Sequence, residues 1–375
     1  MPLILVSTIL TLSVLYAPQP LLPVLALEFA VSRETAALLT TIVFIPLSLA
    51  PLFYGYLLET VPSRRVLQVA MLILGLSSLA ICLAADFKAL LALRLLQGLV
   101  IPALLTALMT YTSQNSTEGD VQRAMAWYIG ATIVGGFAGR AMSGVIASLF
   151  DWRVSFGLLG ISLLLAWLAL LRLVPQHELQ LVKPRLGLLG EILADRRFLQ
   201  IYLMVFCMFL VFAAIMNFLP FRLAELSAEA DELRIGLAYS GYLMGLVASL
   251  NAVKLQQRFG GAEKIMVIAL LLYGVALLML GIASVPVFLG ASFLFCTAMF
   301  LAHASATGLV NRLASDHKGM VNGLYVSFYY GGGAVGSFLP GYAYRDWGWN
   351  GMIICLLAVA LVSLSLAGCL SRKYG

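Results

Sequence analysis

Three side chains that bind protons or anions lie inside long apolar stretches of the chain: Arg94, Arg140 and His303. A guanidinium in hydrocarbon is costly unless carbonyl groups, water or an anion satisfy it. Arg94 is suited to brace helices by bonding backbone carbonyls together with Gln97. Arg140 is suited to contact a solute or a gate, because the glycines near it satisfy the packing without it. An imidazole titrates near neutral pH, so His303 can carry a proton, or it can simply hydrogen-bond two helices.

The acidic residues are excluded from these stretches. All 17 Asp and Glu residues fall at or beyond the ends of the apolar runs. No carboxylate is therefore placed to exchange a proton or to neutralise a cation in the middle of a run. We also find no nucleophile with a base, no cysteine pair or metal-ligand spacing, and no phosphate-binding loop, so we expect no enzyme, no metal and no cofactor. The net charge of +6 forms no basic stripe, so we expect no nucleic-acid partner.

A set of tyrosines and amides lies in the halves of the apolar runs that face the same side. Aromatic rings with a few polar groups suit an amphipathic or sugar-sized solute. Tyrosines also gather at membrane interfaces, so part of the set could serve only as anchors. With Arg140, the residues predicted to bind the solute are Tyr16, Gln19, Tyr128, Asn217, Tyr239, Tyr242, Asn322, Tyr325 and Tyr329.

The composition requires that these residues lie in membrane-spanning helices. The 375 residues are 62% hydrophobic and only 11% charged, which excludes a soluble globular chain. At about 20 apolar residues for each span, the length holds roughly a dozen spans. The predicted spans are 3–25, 36–58, 66–85, 88–111, 122–149, 153–173, 198–221, 234–255, 264–283, 286–310, 320–344 and 349–370.

A polar segment divides the spans six plus six. We predict an N-terminal bundle at 1–174, a cytoplasmic linker at 175–197 and a C-terminal bundle at 198–375. Fifteen of the 23 Lys and Arg residues fall on the side of the linker and of both termini, and six on the other. Because cytoplasmic loops carry the excess of basic residues, both termini are predicted to be cytoplasmic.

The two halves repeat. A shift of 197 residues aligns Tyr128 with Tyr325, Gly135 and Gly136 with Gly332 and Gly333, Gly139 with Gly336, and Trp152 with Trp349. Halves of equal orientation, related by an axis along the membrane normal, are typical of transporters that rock around a midplane cavity. A receptor or scaffold with twelve helices remains the alternative.

Prolines and glycines mark the helices that would move. Pro18 follows Tyr16 in the first span, and Pro220 follows Asn217 at the matching place in the seventh. A proline frees a backbone carbonyl, which a span tolerates where it lines a cavity or bends. Gly135, Gly136 and Gly139 permit the close helix approach that sliding requires, although static packing would leave the same pattern.

Three segments carry a resemblance to a known family. The turn from Gly55 to Arg65 resembles the G-x-L-a-D-r-x-G-r-[kr] loop of the major facilitator superfamily, with Glu59 for the acid. Arg94-Leu-Leu-Gln97-Gly98 is similar to the R-x-x-q-G element of its proton-coupled members, and 130–144 resembles the antiporter glycine motif without its proline. Over its whole length the chain most resembles the bacterial efflux branch for drugs or arabinose, the drug:proton antiporter type.

The resemblance implies roles for several residues. Gly55, Glu59, Arg64 and Arg65 would gate the cytoplasmic side, with Glu59 and Arg64 as a latch, while Arg94 would take part in proton coupling. Gly135, Gly136 and Gly139 would close the leak path.

The expected fold is an all-α integral membrane protein with twelve helices in two pseudo-symmetric bundles. The expected function is proton-coupled export of a small amphipathic or sugar-like solute across the bacterial inner membrane, by a monomer in contact with lipids. A carrier of anionic solutes that uses the intramembrane arginines is the alternative.

Overall fold

A computed structural model describes residues 1–114, 121–172, 187–314 and 318–374; the side chains of 52–60, 113–114, 121–122, 126, 187–188, 318 and 373–374 are outside this description. The regular elements of the described part are helices. Its first half contains α1 (Pro2–Tyr16), a short 3-10 turn (Gln19–Leu21), α2 (Leu22–Glu28), α3 (Arg33–Thr60), α4 (Ser63–Ile81), α5 (Phe87–Gln114), α6 (Val121–Leu149) and α7 (Trp152–Leu170).

The rest of the chain repeats this order with added breaks. It contains α8 (Gly187–Ala194), α9 (Arg196–Leu226), α10 (Glu232–Ala238), α11 (Gly241–Phe259), α12 (Ala262–Met279), α13 (Val285–Leu313), α14 (Lys318–Gly336) and α15 (Pro340–Tyr374). Gly348 interrupts α15 with a backbone φ of 71°, a left-handed conformation that glycine adopts readily.

Eleven helical segments within the described residues are long and apolar enough to cross a membrane. The prediction of an all-helical protein with many spans is therefore confirmed. The remaining predicted span, 320–344, corresponds to α14 and the start of α15, which are separated by a turn after Gly336. The hydrocarbon explains the preference for helices, because each backbone N–H and C=O must be bonded within its own segment.

Two helices differ from the predicted spans. The eighth predicted span, 234–255, is broken at Tyr239–Ser240 into α10 and α11, although no residue at the joint forbids a helix. The segment predicted as a linker, 175–197, contains α8, whose sequence Gly-Leu-Leu-Gly-Glu-Ile-Leu-Ala is more apolar than its flanks. The break between α1 and α2, in contrast, falls at the predicted Pro18.

The chain forms two compact units. Unit 1 comprises Met1–Pro184 with Ala230–Leu237, and unit 2 comprises Arg185–Glu229 with Ala238–Gly375. Most of α10 thus clusters with the helices of unit 1. Gly144 and Gly236 provide the room, since a Cβ at Gly144 would overlap the carbonyl oxygen of Glu232 in α10.

The same helix neighbours recur in each unit. In unit 1, α1 packs on α6, α3 on α5, and α4 on both α5 and α7; in unit 2, α9 packs on α14, α11 on α13, and α12 on both α13 and α15. Unit 2 also has an aromatic core, in which Phe295 stacks with Phe212 at 5.5 Å and with Tyr273 at 4.3 Å between ring centroids. The helices that hold the predicted site residues therefore form equivalent pairs.

Candidate functional site

The break between α1 and α2 leaves backbone carbonyls without helical donors. Because Pro18 has no N–H, the carbonyl of Val14 loses the donor four residues on. The carbonyl of Leu15 lies in the last turn of α1, where carbonyls lack helical partners. Arg94 of α5 serves both: Nη1 donates to Val14 at 3.0 Å and Nη2 donates to Leu15 at 2.9 Å. The buried guanidinium thus holds the broken helix end in place.

The other bonds of Arg94 join two more helices. Its Nε donates to the carbonyl of Leu39 in α3 at 3.0 Å, and its Nη1 donates to Gln97 Oε1 at 2.7 Å. Gln97 Nε2 in turn donates to Ser78 Oγ of α4 at 3.1 Å. This is the carbonyl-binding arrangement that the sequence left open. A role for Arg94 in proton coupling stays a prediction.

Arg140, Gln19 and Tyr16 form one buried cluster at the same break. Arg140 Nε donates to Gln19 Oε1 at 2.6 Å and its Nη1 donates to the carbonyl of Gly136 at 2.6 Å. The guanidinium carbon lies 3.9 Å from the centroid of the Tyr16 ring, a cation–π distance. Arg140 and Gln19 are each 1% exposed. Three residues predicted to bind the solute are therefore in contact with one another.

Glycines bring α6 close enough to α1 for this cluster to form. A Cβ at Gly135 would lie 2.6 Å from the carbonyl oxygen of Ile9, and one at Gly139 would overlap the backbone of Ser13. Ser13 Oγ donates to the carbonyl of Gly135 at 3.2 Å across the same contact. At Gly136 the nearest atoms would be 3.5 Å away, which is ordinary contact. The gating role of these glycines stays a prediction, but the space they leave is used by the packing.

Unit 2 repeats this contact at the offset found in the sequence. A Cβ at Gly332 of α14 would overlap the carbonyl oxygen of Phe206 in α9, and one at Gly336 would overlap that of Leu210. Each partner is displaced by the same 197 residues from its mate in unit 1. The sequence repeat therefore corresponds to a repeated helix crossing.

Asn217 and Tyr239 satisfy backbone carbonyls at the matching place in unit 2. Asn217 Nδ2 donates to the carbonyl of Ser337 at 2.8 Å. Tyr239 Oη donates at 2.7 Å to the carbonyl of Met216, which Pro220 leaves without a helical donor. Both side chains are 1% exposed or less. These bonds stabilise α9, and solute contact by either residue stays a prediction.

Tyr242 and Tyr128 are buried in the packing between helices. Tyr242 lies 5.2 Å from Phe300 and 5.6 Å from Phe212 between ring centroids, in the aromatic core of unit 2. Tyr128 Oη donates to the carbonyl of Leu105 in α5 at 3.0 Å. Neither geometry tests the predicted solute contact.

A polar seam runs between α13 and α14 in unit 2. We define the α13–α14 seam as His303, Thr307, Asn311, Asn322, Tyr325 and Tyr329. Tyr325 Oη lies 2.9 Å from His303 Nδ1 and 3.4 Å from the carbonyl oxygen of the same histidine. The Tyr329 ring lies 4.8 Å from the imidazole and stacks at 3.7 Å on Phe209, between centroids. Four predicted site residues therefore belong to one seam.

The other end of the seam is an amide pair. Asn311 Nδ2 donates to Asn322 Oδ1 at 3.2 Å, and Asn322 Nδ2 donates to Asn311 Oδ1 at 2.8 Å. Thr307 Oγ1 donates to the carbonyl of His303 at 2.8 Å, and its hydroxyl also contacts Tyr325. The seam thus consists of neutral hydrogen-bonding groups, with the imidazole as its titratable centre.

The predicted gating loop is described only in part. The side chain of Glu59 and the surroundings of Gly55 lie outside the described residues. Arg64 Nη2 donates to the carbonyl of Leu171 at 3.2 Å, just beyond the end of α7, and Arg65 is exposed. Arginines are favourable at helix C-termini, so this contact also has a structural purpose. The latch between Glu59 and Arg64 stays a prediction.

Three polar residues of these sites were missed in the sequence. Thr307 and Asn311 follow His303 at four-residue intervals, so they lie along one face of α13. That spacing was available as a signal. Ser143 Oγ donates at 2.9 Å to the carbonyl of Ala17, another group left over at the α1–α2 break. Ser143, a single serine four residues after Gly139, has no such spacing to indicate its role.

Outside the spans, Asp195 caps α9. Its carboxylate accepts hydrogen bonds from the backbone N–H and the guanidinium of Arg197, and the side-chain bond is the main cause that lowers the pKa of Asp195.

No cluster of three or more His, Cys, Asp or Glu that could hold a metal occurs among the described residues.

Fold, repeat and buried polar sites define a class: a helical membrane transporter built from two homologous units. The family model of the Major Facilitator Superfamily matches residues 4–253 and 201–373. The chain therefore belongs to this superfamily, and it is a secondary transporter.

Two curated relatives and one solved structure agree with this assignment. The chain is 26% identical to the uncharacterized MFS-type transporter YybF of Bacillus subtilis, over 97% of this chain and 91% of YybF. It is 27% identical to the inner membrane transport protein YnfM of Escherichia coli, over 94% of this chain and 86% of YnfM. The fold is similar to the crystal structure of the nucleoside transporter NupG, with a TM-score of 0.80, 13% identity and full coverage of both chains. Relatives that are transporters agree with the expectation that the chain is not an enzyme.

Proposed function

We propose that this transporter exports a small amphipathic or sugar-like solute across the inner membrane by alternating access, in exchange for protons. We also propose that it acts as a monomer with both termini in the cytoplasm. The inner membrane location is supported by the similarity to YnfM, an inner membrane transport protein. The orientation is supported by the excess of basic residues on one side.

The observation that carries the proposal is the pair of polar sites at matched positions of the two units. In unit 1 the break near Pro18 collects Tyr16, Gln19 and Arg140, and in unit 2 Asn217 bonds α14 at the corresponding crossing. Amides and tyrosines offer donors and acceptors without net charge, which suits a solute with hydroxyl groups and an apolar face. A discontinuous span is where many transporters bind solutes, which favours the α1–α2 break. The predicted matching break at Pro220 is absent, because α9 runs from Arg196 to Leu226 as one helix.

The proton would be carried by His303 together with Tyr325. When Nδ1 of the imidazole has no proton, the hydroxyl of Tyr325 can donate to it across 2.9 Å. When Nδ1 carries a proton, it donates to the tyrosine oxygen, and the tyrosine O–H can turn to the histidine carbonyl at 3.4 Å. Each protonation state therefore has a hydrogen-bond partner without movement of either helix.

Transport in liposomes tests this proposal. We would reconstitute the purified chain and measure the flux of labelled lipophilic cations, neutral sugars and organic anions, with a pH gradient imposed and then collapsed by a protonophore. We expect flux of a neutral or amphipathic solute that stops when the gradient is collapsed. His303→Gln should keep binding but lose the dependence on the gradient, whereas Asn251→Ala, at an amide that donates only to its own helix, should change neither. No flux of any class, or flux indifferent to the gradient, would refute the proposal.

A carrier of anionic solutes is the second candidate, and Arg140 favours it. Its guanidinium is 1% exposed, and the partners described above, an amide oxygen, a carbonyl oxygen and an aromatic ring, are all uncharged. An organic carboxylate there would provide a charge-assisted bond.

A thermal-shift screen distinguishes the two candidates, because a ligand that binds the folded state raises its stability. If the anionic candidate is right, anions should raise the melting temperature of the parent chain but not of Arg140→Gln. The control Arg345→Gln, at a side chain that is 53% exposed, should behave like the parent. Stabilisation by neutral solutes alone would exclude the anion carrier.

A further inference from the structure

We propose that the Asn311–Asn322 pair of the α13–α14 seam is a binding site for a neutral planar heterocycle that carries an N–H donor beside a carbonyl acceptor. The edge of a cyclic amide or of a nucleobase has this chemistry. The inference rests on the proposed function, since it names the class of solute that the transporter takes.

The two amides already recognise such an edge in each other. Asn322 Nδ2 donates to Asn311 Oδ1 at 2.8 Å while Asn311 Nδ2 donates to Asn322 Oδ1 at 3.2 Å, so a donor and an acceptor of each side chain are used together. Both residues are half-buried. A solute that lies beside the pair can therefore compete with one asparagine for the edge of the other.

Only some solutes can make that exchange without loss. A group that replaces one amide must offer one donor and one acceptor side by side, because otherwise a half-buried N–H or C=O is left unpaired, which is unfavourable. Isolated hydroxyls satisfy the requirement poorly, and carboxylates have no donor at neutral pH. Sites built on such hydrogen bonds discriminate strongly against analogues that lack one of the groups.

The amide pair is not repeated in unit 1. Tyr128 reaches the carbonyl of Leu105 in unit 1 much as Tyr325 reaches that of His303 in unit 2, which aligns α5 with α13 at an offset of 198 and α6 with α14 at 197. By this alignment Asn322 corresponds to Met125 and Asn311 to Ser113. A methionine cannot form the two-point amide pair, so the pair belongs to unit 2 and is not part of the repeated packing.

The seam also has an aromatic surface. Beside it on α13, Gly308 is exposed, and a Cβ there would meet no atom within 4 Å. Asn322 and Tyr329 are seven residues apart on α14, about 10 Å along the helix. This distance suits a ring held by its edge at one end and a substituent that reaches the Tyr329 and Phe209 rings at the other.

Two pyrimidines provide the sharpest test. Uracil carries the paired N–H and C=O, whereas 1,3-dimethyluracil keeps the ring and both carbonyls but has no N–H. We would measure melting temperatures of the purified full chain in detergent with each compound, and dissociation constants by calorimetry. Hypoxanthine and nicotinamide, which also have an N–H beside a carbonyl or amide oxygen, would be measured in the same way. We expect uracil to bind, and the methylated ring to bind about tenfold more weakly than uracil or not at all.

Variants assign the binding to the pair. The double variant Asn311→Leu/Asn322→Leu removes both amides together, so neither asparagine is left without its partner. Its affinity for uracil should fall about tenfold or more. Asn251→Leu, at a half-buried asparagine that donates to a carbonyl of its own helix, should bind like the parent chain. Equal binding of the two pyrimidines, full affinity in the double variant, or no binding of uracil would overturn the inference.

The outcomes separate this inference from the proposed function. Flux of a labelled sugar without binding of uracil would overturn the inference and leave the exporter intact. Binding of a ring that the variants abolish, without proton-dependent flux of any solute, would support the site and refute the exporter. The comparison of the two pyrimidines needs no variant, so the test holds even if the double variant does not fold.

Discussion

Replacing Arg94 with methionine should destabilise the chain through the two carbonyl groups at the α1–α2 break. The side chain is fully buried and serves Val14 and Leu15 at 3.0 and 2.9 Å. A buried acceptor that loses its donor costs about 1–3 kcal/mol, so the two together predict a loss of about 2–6 kcal/mol. The carbonyl of Leu39 adds little, because it lies inside α3 and can keep its helical donor.

A second substitution distinguishes this cause from a general effect of losing the arginine. Pro18→Ala restores the N–H that the carbonyl of Val14 lacks, so it should recover about 1–3 kcal/mol in the Arg94→Met background and change the parent chain little. Pro23→Ala is the matched control. The carbonyl that Pro23 leaves free, that of Gln19, already accepts the backbone N–H of Leu22, and this substitution should rescue nothing.

The four chains of this double-mutant cycle would be compared by denaturation in mixed micelles. We expect a coupling free energy of about 1 kcal/mol or more between positions 18 and 94. Additive effects within about 0.5 kcal/mol would refute the assigned bond. Proton-driven transport is a second measurement on the same chains. If Arg94 only holds the helix end in place, the rescued double variant should regain transport. If Arg94 couples protons to transport, the double variant should be stable but stay uncoupled.

Three further substitutions test other contacts. Gly139→Ala should destabilise the chain by about 1–3 kcal/mol through overpacking on α1, whereas Gly130→Ala, with no atom within 4 Å of the added Cβ, should be neutral in the same denaturation assay. Tyr239→Phe should cost about 1–3 kcal/mol, because it leaves a buried α9 carbonyl without a donor; an unchanged stability would contradict the bond. Asp195→Asn should reduce the fall in melting temperature that the parent chain shows as the pH is lowered. The lowered pKa of Asp195 means that its stabilisation is present above the ordinary carboxyl pKa and is lost as pH falls through the folded value, so equal curves for parent and variant would exclude it.

Much of the fold could be predicted because hydrocarbon allows few alternatives to a helix. The predicted span 286–310 became α13, Val285–Leu313, and Pro18 marked the first break through its missing N–H. The break at Tyr239–Ser240 could not be predicted in this way. It accompanies tertiary contacts: Tyr239 bonds an α9 carbonyl, and a Cβ at Gly241 would lie only 3.1 Å from the carbonyl oxygen of Ser292.

The sites could be predicted where charge marked them. Arg140 attracted attention as an isolated cation in an apolar run, and the structure joins it to Gln19 across 121 positions of sequence. Asn311 carried no such mark, because a neutral amide in a helix is common and its partner lies on another helix. Only the spacing from His303 would have indicated it.

The two units keep their close backbone contacts and change their polar groups. The glycine crossings recur at an offset of 197, because a methyl group at either site would collide with a carbonyl. At the same crossing, however, Arg140 and Gln19 of unit 1 correspond to Ser337 and Met216 of unit 2, where the neighbouring Asn217 bonds the Ser337 carbonyl, so a buried cation appears in one unit only. Close packing must be satisfied in both units, whereas the polar groups at the crossing differ between them. We therefore expect substitutions at the glycines to impair folding in either unit alike, and substitutions at the unmatched polar groups to change which solute is carried.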